Sequence, residues 1–173
     1  MKNIIATGVA AAAISLSMNA NASPLTFIDY TMGNIDYDSG ADDGDYSAFT
    51  VSIDTLVIPL ISIESIDFND ADILKFGIGA SAGIGRASQI YGLVHYNDYD
   101  DEDSDFSFRV GLNSSLTDRV EARLSYTMYS DQDYFDNTKL SLGYYFTQNF
   151  SLAGNYQIAD DYNILSATAR LSF

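Results

Sequence analysis

The residue types that carry most chemistry are sparse in this chain, and their spacing narrows what they can do. There is no cysteine and a single histidine, His95, so disulfides, thiolate nucleophiles and the usual zinc or iron–sulfur ligand sets are excluded. His95 precedes Asp98 and Asp100, and a hydrolase built there would need an oriented base and a nucleophile or a positioned water. Period-two counting puts His95 on the Tyr91/Leu93 parity, pointing inward close to an outer rim. No paired motif completes the set, so the expectation is that the protein is not an enzyme. Gly77-x-Gly79-x-x-Ala82 matches the letters of a dinucleotide-binding turn, but that turn must open a helix whose N-terminus meets the pyrophosphate. Here Gly83-Ile-Gly85-Arg-Ala-Ser88 leads to another strand-like run, and no cofactor is expected.

Carboxylates are the abundant group: 24 acidic against 8 basic side chains, a net charge of −16. Nucleic acid is excluded as a partner, because phosphate recognition needs Lys and Arg clusters. Most of the acids fall in five stretches: Asp36–Asp45, Asp67–Asp72, Asp98–Asp105, Asp131–Asn137 and Asp160–Asn163. Oxygen ligands so clustered suit calcium or magnesium, so Asp36, Asp38, Asp42 and Asp43, with Asp98, Asp100, Asp101, Glu102 and Asp103, are candidate weak divalent-cation loops. Neither stretch completes an EF-hand, since Gly40 stands at the fifth position of the first and Asp103 at the sixth of the second. Solvated, mutually repelling loops are the simpler reading.

These loops must be carried by something. Between them lie four short, less acidic breaks, at Val57–Pro59, Gly83–Ser88, Ser114–Arg119 and Thr147–Asn149, and the two kinds alternate without exception. The breaks bound ten runs of strand length: Thr26–Ile35, Tyr46–Leu56, Leu60–Phe68, Ile73–Ala82, Gln89–Asn97, Phe106–Asn113, Val120–Tyr129, Thr138–Phe146, Phe150–Ile158 and Ile164–Phe173. Tilted membrane strands need about 9–11 residues. The sequence therefore predicts an all-β, antiparallel, up-and-down barrel of ten strands, with eight as the alternative if Pro59 disrupts Leu56–Phe68.

Within the runs one parity is apolar. Leu74, Phe76, Ile78 and Ala80 share a face, as do Phe106, Phe108, Val110 and Leu112, and Leu140, Leu142, Tyr144 and Phe146. The opposite parity holds the cations Lys75, Arg109, Arg123, Lys139 and Arg170. Asp29, Asp54, Glu64 and Glu121 share it and are expected to neutralise them, because charge in a narrow lumen is costly unless paired. An internal ion-pair network that fills the barrel, rather than a wide pore, follows.

The N-terminus has the three-part plan of a cleaved signal peptide over residues 1–22: Lys2, an apolar run Ile4–Leu16 shorter than a membrane helix, and Ala20-Asn21-Ala22. Residues 23–173 are then a single barrel domain. The chain closes on Leu165-Ser-Ala-Thr-Ala-Arg-Leu-Ser-Phe173, in which Leu165, Ala167, Ala169, Leu171 and Phe173 alternate with polar residues.

On the Ala20-Asn21-Ala22 end, the hairpin Lys139–Tyr156 and the terminal Ala169-Arg-Leu-Ser-Phe173, the chain resembles the small Gram-negative outer-membrane β-barrels, the group of the OmpA-type transmembrane domain and OmpX-like proteins. The resemblance implies an outer-membrane location and contact with lipid and lipopolysaccharide. It also implies that Leu165, Leu171 and Phe173 form the signal read by the barrel-assembly machinery. The functional expectation is a non-enzymatic envelope or surface-interaction role. Alternatives are a narrow cation-preferring channel, suggested by the acidic mouth, and an envelope lipid or peptide hydrolase using His95.

Overall fold

The structure, a computed structural model, describes residues 25–38, 43–54, 60–68, 71–100 and 103–173. Ten strands run in chain order: β1 Phe27–Tyr37, β2 Gly44–Ile53, β3 Leu60–Phe68, β4 Ala71–Ile84, β5 Ser88–Tyr99, β6 Asp105–Ser115, β7 Val120–Tyr129, β8 Asn137–Tyr145, β9 Phe150–Ala159 and β10 Tyr162–Ser172. Each pairs antiparallel with its sequence neighbours, and β1 pairs with β10 from Phe27↔Ser172 to Tyr37↔Tyr162. Closure leaves no sheet edge, so every strand's backbone groups are satisfied within the ladder. The ten-strand expectation holds and the eight-strand alternative falls. β2 and β3 pair as a hairpin up to Ile53↔Ile61; Pro59 and the signal stretch 1–22 lie outside the described residues.

Strand alternation decides which face is which. Ile164 is fully buried whereas the adjacent Leu165 is 69% exposed. The same holds around the barrel: Phe76, Ile78, Phe106, Phe108, Leu124, Leu140 and Leu142 face out, and Lys75, Ser107, Glu121, Ser141 and Arg170 face in. An apolar exterior around a polar interior is the arrangement of a membrane-spanning barrel, inverse to that of a water-soluble one.

The ladder runs further than the acidic stretches suggest. Asp36 pairs with Asn163, Asp67 with Asp72, and Asn97 with Asp105. Backbone pairing does not require an apolar side chain, so the strands continue into water beyond the apolar belt. At the opposite rim the turns are tight. Gly85 has φ +69°, a conformation that favours glycine. Thr117 and Thr147 each accept from two following backbone N–H groups, at 3.0–3.2 Å and 3.0–3.3 Å.

Candidate functional site

The barrel interior is layered. At the acidic rim the chain after β7 forms a short 3-10 turn, Asp133–Phe135, held by the Asp136 N–H bonding to Asp133 O at 2.9 Å. It turns Phe135 into the barrel mouth, where that residue is 5% exposed. Phe135 stacks on Tyr99 and tilts against Tyr129 at 5.6 Å between centroids. Ile35, Tyr46, Ala48, Ile66, Ile73, Tyr162 and Ile164 complete this cluster.

Below it lies a charged layer. Arg109 grips Glu64 with both terminal guanidinium nitrogens, Nη2 to Oε2 at 3.1 Å, and its Nε donates to Thr127 at 3.1 Å. Ser62 also donates to Glu64, at 3.2 Å. Lys75, 1% exposed, donates to the Tyr129 hydroxyl. The buried Asp105 accepts from Asn97 at 2.6 Å and from Tyr99 at 2.9 Å.

Towards the short-turn rim a second charged layer forms. Arg170 binds Asp29 bidentately, both contacts 2.7 Å, and lies over the Phe27 ring. Arg123 Nε is 3.1 Å from Glu121, and Glu121 also lies 3.7 Å from Arg170. Planar, bidentate pairing of this kind is how a guanidinium is held in a site shielded from water. Leu25 folds in beneath, packed with Leu93 and with Phe27 and Tyr91 at its edge. Thr26 Oγ1 anchors this segment through two 3.0 Å bonds with the Asp54 backbone.

Between the two apolar ends is a cavity of about 140 Å³.

This is the architecture of an outer-membrane β-barrel. Solved structures that match include porins, among them the KdgM porin at 10% identity and TM-score 0.58, covering 86% of this chain and 99% of that one. The same porin in complex with disordered oligogalacturonate gives TM-score 0.59 at 10% identity, with equal coverage. The NanC porin gives 0.54 at 12% identity, covering 84% of this chain and 98% of that one. At these identities the likeness is one of fold. No protein-family model and no curated protein sequence matches the chain.

The candidate residues fall into separate places. Asp29, Glu121, Arg123 and Arg170 come together, and Glu64 and Arg109 form the other pair. Lys75 bonds Tyr129, and Lys139 lines the cavity. Asp54 sits at the short-turn rim, its carboxylate accepting from Ser81 at 2.8 Å and Gln89 at 2.9 Å. Leu165 and Leu171 face outward, and the Phe173 N–H bonds Thr26 O at 3.2 Å.

His95 is not near the outer rim. It lies mid-strand opposite Gly77 and Ser107, fully buried, with Nε2 3.6 Å from a Glu64 carboxylate already held by Arg109. Alternation turns Asp98 outward, and Asp100 lies exposed past the strand end, so neither reaches the imidazole. Gly77 and Gly79 lie within a strand with another strand following, and a Cβ on Gly77 would collide with the His95 ring. The glycine there makes room for an imidazole rather than a phosphate. Asp36, Asp38, Asp43, Asp98, Asp100 and Asp103 are exposed, and no group of three potential ligands converges among the described residues. Asp42, Asp101 and Glu102 lie outside those residues.

The apolar stoppers carry no sequence motif. Phe135 stands in Asp131-Gln-Asp-Tyr-Phe-Asp136, an acidic stretch. Its one signal is an aromatic pair in an otherwise solvated loop, where a large apolar side chain needs a surface to cover it.

Proposed function

We propose that the protein is a non-enzymatic outer-membrane barrel whose interior is closed at rest, and that it serves envelope integrity or surface interaction through its acidic rim. The carrying observation is a buried apolar cluster towards each end, Phe135 among tyrosines and Leu25 beside Leu93, with interlocked ion pairs between them. Broken singly, such buried pairs are costly, which suits a rigid filled barrel. The exposed Asp38, Asp43, Asp100 and Asp103 suit shared divalent ions with lipopolysaccharide phosphates. The outward Leu165 and Leu171, with Phe173, suit recognition by the barrel-assembly machinery.

A second reading, a narrow channel, is favoured by the porin neighbours and by the interior cavity. The test is a deletion strain compared with wild type for outer-membrane permeability to detergents and for surface binding, alongside fractionation of the tagged protein. Recovery in the outer membrane with a barrier or adhesion defect supports the proposal. Recovery as a soluble periplasmic protein overturns it, and so does loss of uptake of a small solute with the barrier intact. Deleting Phe173 should lower the fraction assembled, and undiminished assembly would contradict the assembly role.

A further inference from the structure

Counting the charges that face the interior leaves one unmatched. Among the described residues the inward carboxylates are Asp29, Glu64, Asp105 and Glu121, and the inward cations are Lys75, Arg109, Arg123, Lys139 and Arg170. Asp54 and Asp136 stand at the two rims, the latter accepting from the Tyr129 N–H at 2.7 Å. Arg170 takes Asp29, Arg123 takes Glu121 and Arg109 takes Glu64. Lys75 bonds Tyr129 and lies in the field of Asp105 and Glu64.

Lys139 remains. It lines the cavity, and no hydrogen bond or ion pair joins it to another described residue. It stands between the two charged layers, in the field of Arg109 and Arg123 as well as of Glu64 and Asp29. An ammonium carries three donors and needs acceptors. Water supplies acceptors but leaves the excess charge uncompensated in a low-dielectric interior, which is costly.

We propose that the interior cavity binds one small monovalent anion, with Lys139 as its principal charge. The cross-strand neighbours of Lys139 are Ser125 and Gln157, both in the cavity wall; Ser125 offers a hydroxyl donor beside it, and Gln157, whose side chain also bonds Tyr162, has a second amide hydrogen. A cavity of about 140 Å³ admits a halide or a formate-sized carboxylate. The inference rests on the filled interior and is independent of the surface role, so either can fail alone.

The experiment follows thermal unfolding of the detergent-folded barrel at constant ionic strength, with sodium gluconate replaced stepwise by sodium chloride or sodium formate. A ligand that binds only the folded state raises its stability with concentration. The expected result is a rise in unfolding temperature with chloride and with formate. Lys139→Arg retains that rise, and Lys139→Met abolishes it. If the variants do not fold, chloride NMR line broadening by the wild-type barrel, competed by formate, reads the same site. Equal shifts in wild type and Lys139→Met overturn the proposal. So does a wild type that responds alike to chloride and gluconate, or chloride broadening that formate leaves unchanged.

Discussion

Phe135 lies nearly parallel to Tyr99, with ring centroids 6.1 Å apart and planes inclined by 7°. One ring comes from the β7–β8 connection and the other from the end of β5, so a loop side chain joins the barrel wall. Tyr134, next to Phe135, is 43% exposed and tilts against the Phe135 ring, centroids 4.2 Å apart. Phe135 is the side chain this loop buries, and Asp136, accepting from the Tyr129 N–H, ties the loop to β7 beside it. Phe135→Ala should cost roughly 3 kcal/mol, the usual scale for emptying a buried phenyl site. Tyr134→Ala should cost much less. Urea unfolding of the two variants in lipid vesicles measures the difference, and equal losses would mean that the aromatic cluster does not hold the loop.

Arg170 and Asp29 form an enclosed, bidentate ion pair, 3% and 7% exposed. Removing one partner strands the other charge. Arg170→Met is expected to destabilise by about 3–5 kcal/mol. The double substitution Asp29→Leu with Arg170→Met should recover much of that loss. A double variant as unstable as the sum of the two single ones would show that the residues act independently.

Gly77 and His95 occupy one site from neighbouring strands. Gly77→Val overfills it, at a cost on the order of 1–3 kcal/mol typical of overpacking. His95→Ala in the same chain should relieve part of the strain. The yield of heat-modifiable, folded barrel reads both effects, and an absence of rescue would place the strain elsewhere than at the imidazole.

Depth in the membrane should be measurable from the outside. Leu142 is exposed in the middle of β8, and Leu116 is equally exposed but in the short turn after β6. Leu142→Arg is expected to cost roughly 2–4 kcal/mol and Leu116→Arg close to nothing. Vesicle unfolding equilibria compare them, and similar costs would mean that the apolar exterior does not face lipid.

Strand number was legible in the sequence because acidic and short breaks alternate, and period-two patterning then assigned Lys75, Arg109 and Arg170 to one face. Which face was inward was not legible from parity alone; burial of Ile164 beside exposed Leu165 decides it. Strand ends were misplaced at Asp36, Asp98 and Asp105, because ladder hydrogen bonds are indifferent to side-chain charge and carry β1, β5 and β6 into the acidic stretches. His95 was misjudged because sequence proximity to Asp98 says nothing about a residue that alternates to the opposite face. Phe135 and Leu25 were invisible as stoppers: the contacts that bury them come from strands distant in sequence, and composition marks one as part of an acidic loop.

The central claim is that the barrel rests closed, and planar-bilayer recording tests it most directly. Wild-type protein should insert without discrete conductance steps, and Phe135→Ala together with Leu25→Ala should produce them. Steady, discrete conductance from the wild-type barrel, unchanged by those substitutions, would contradict the account.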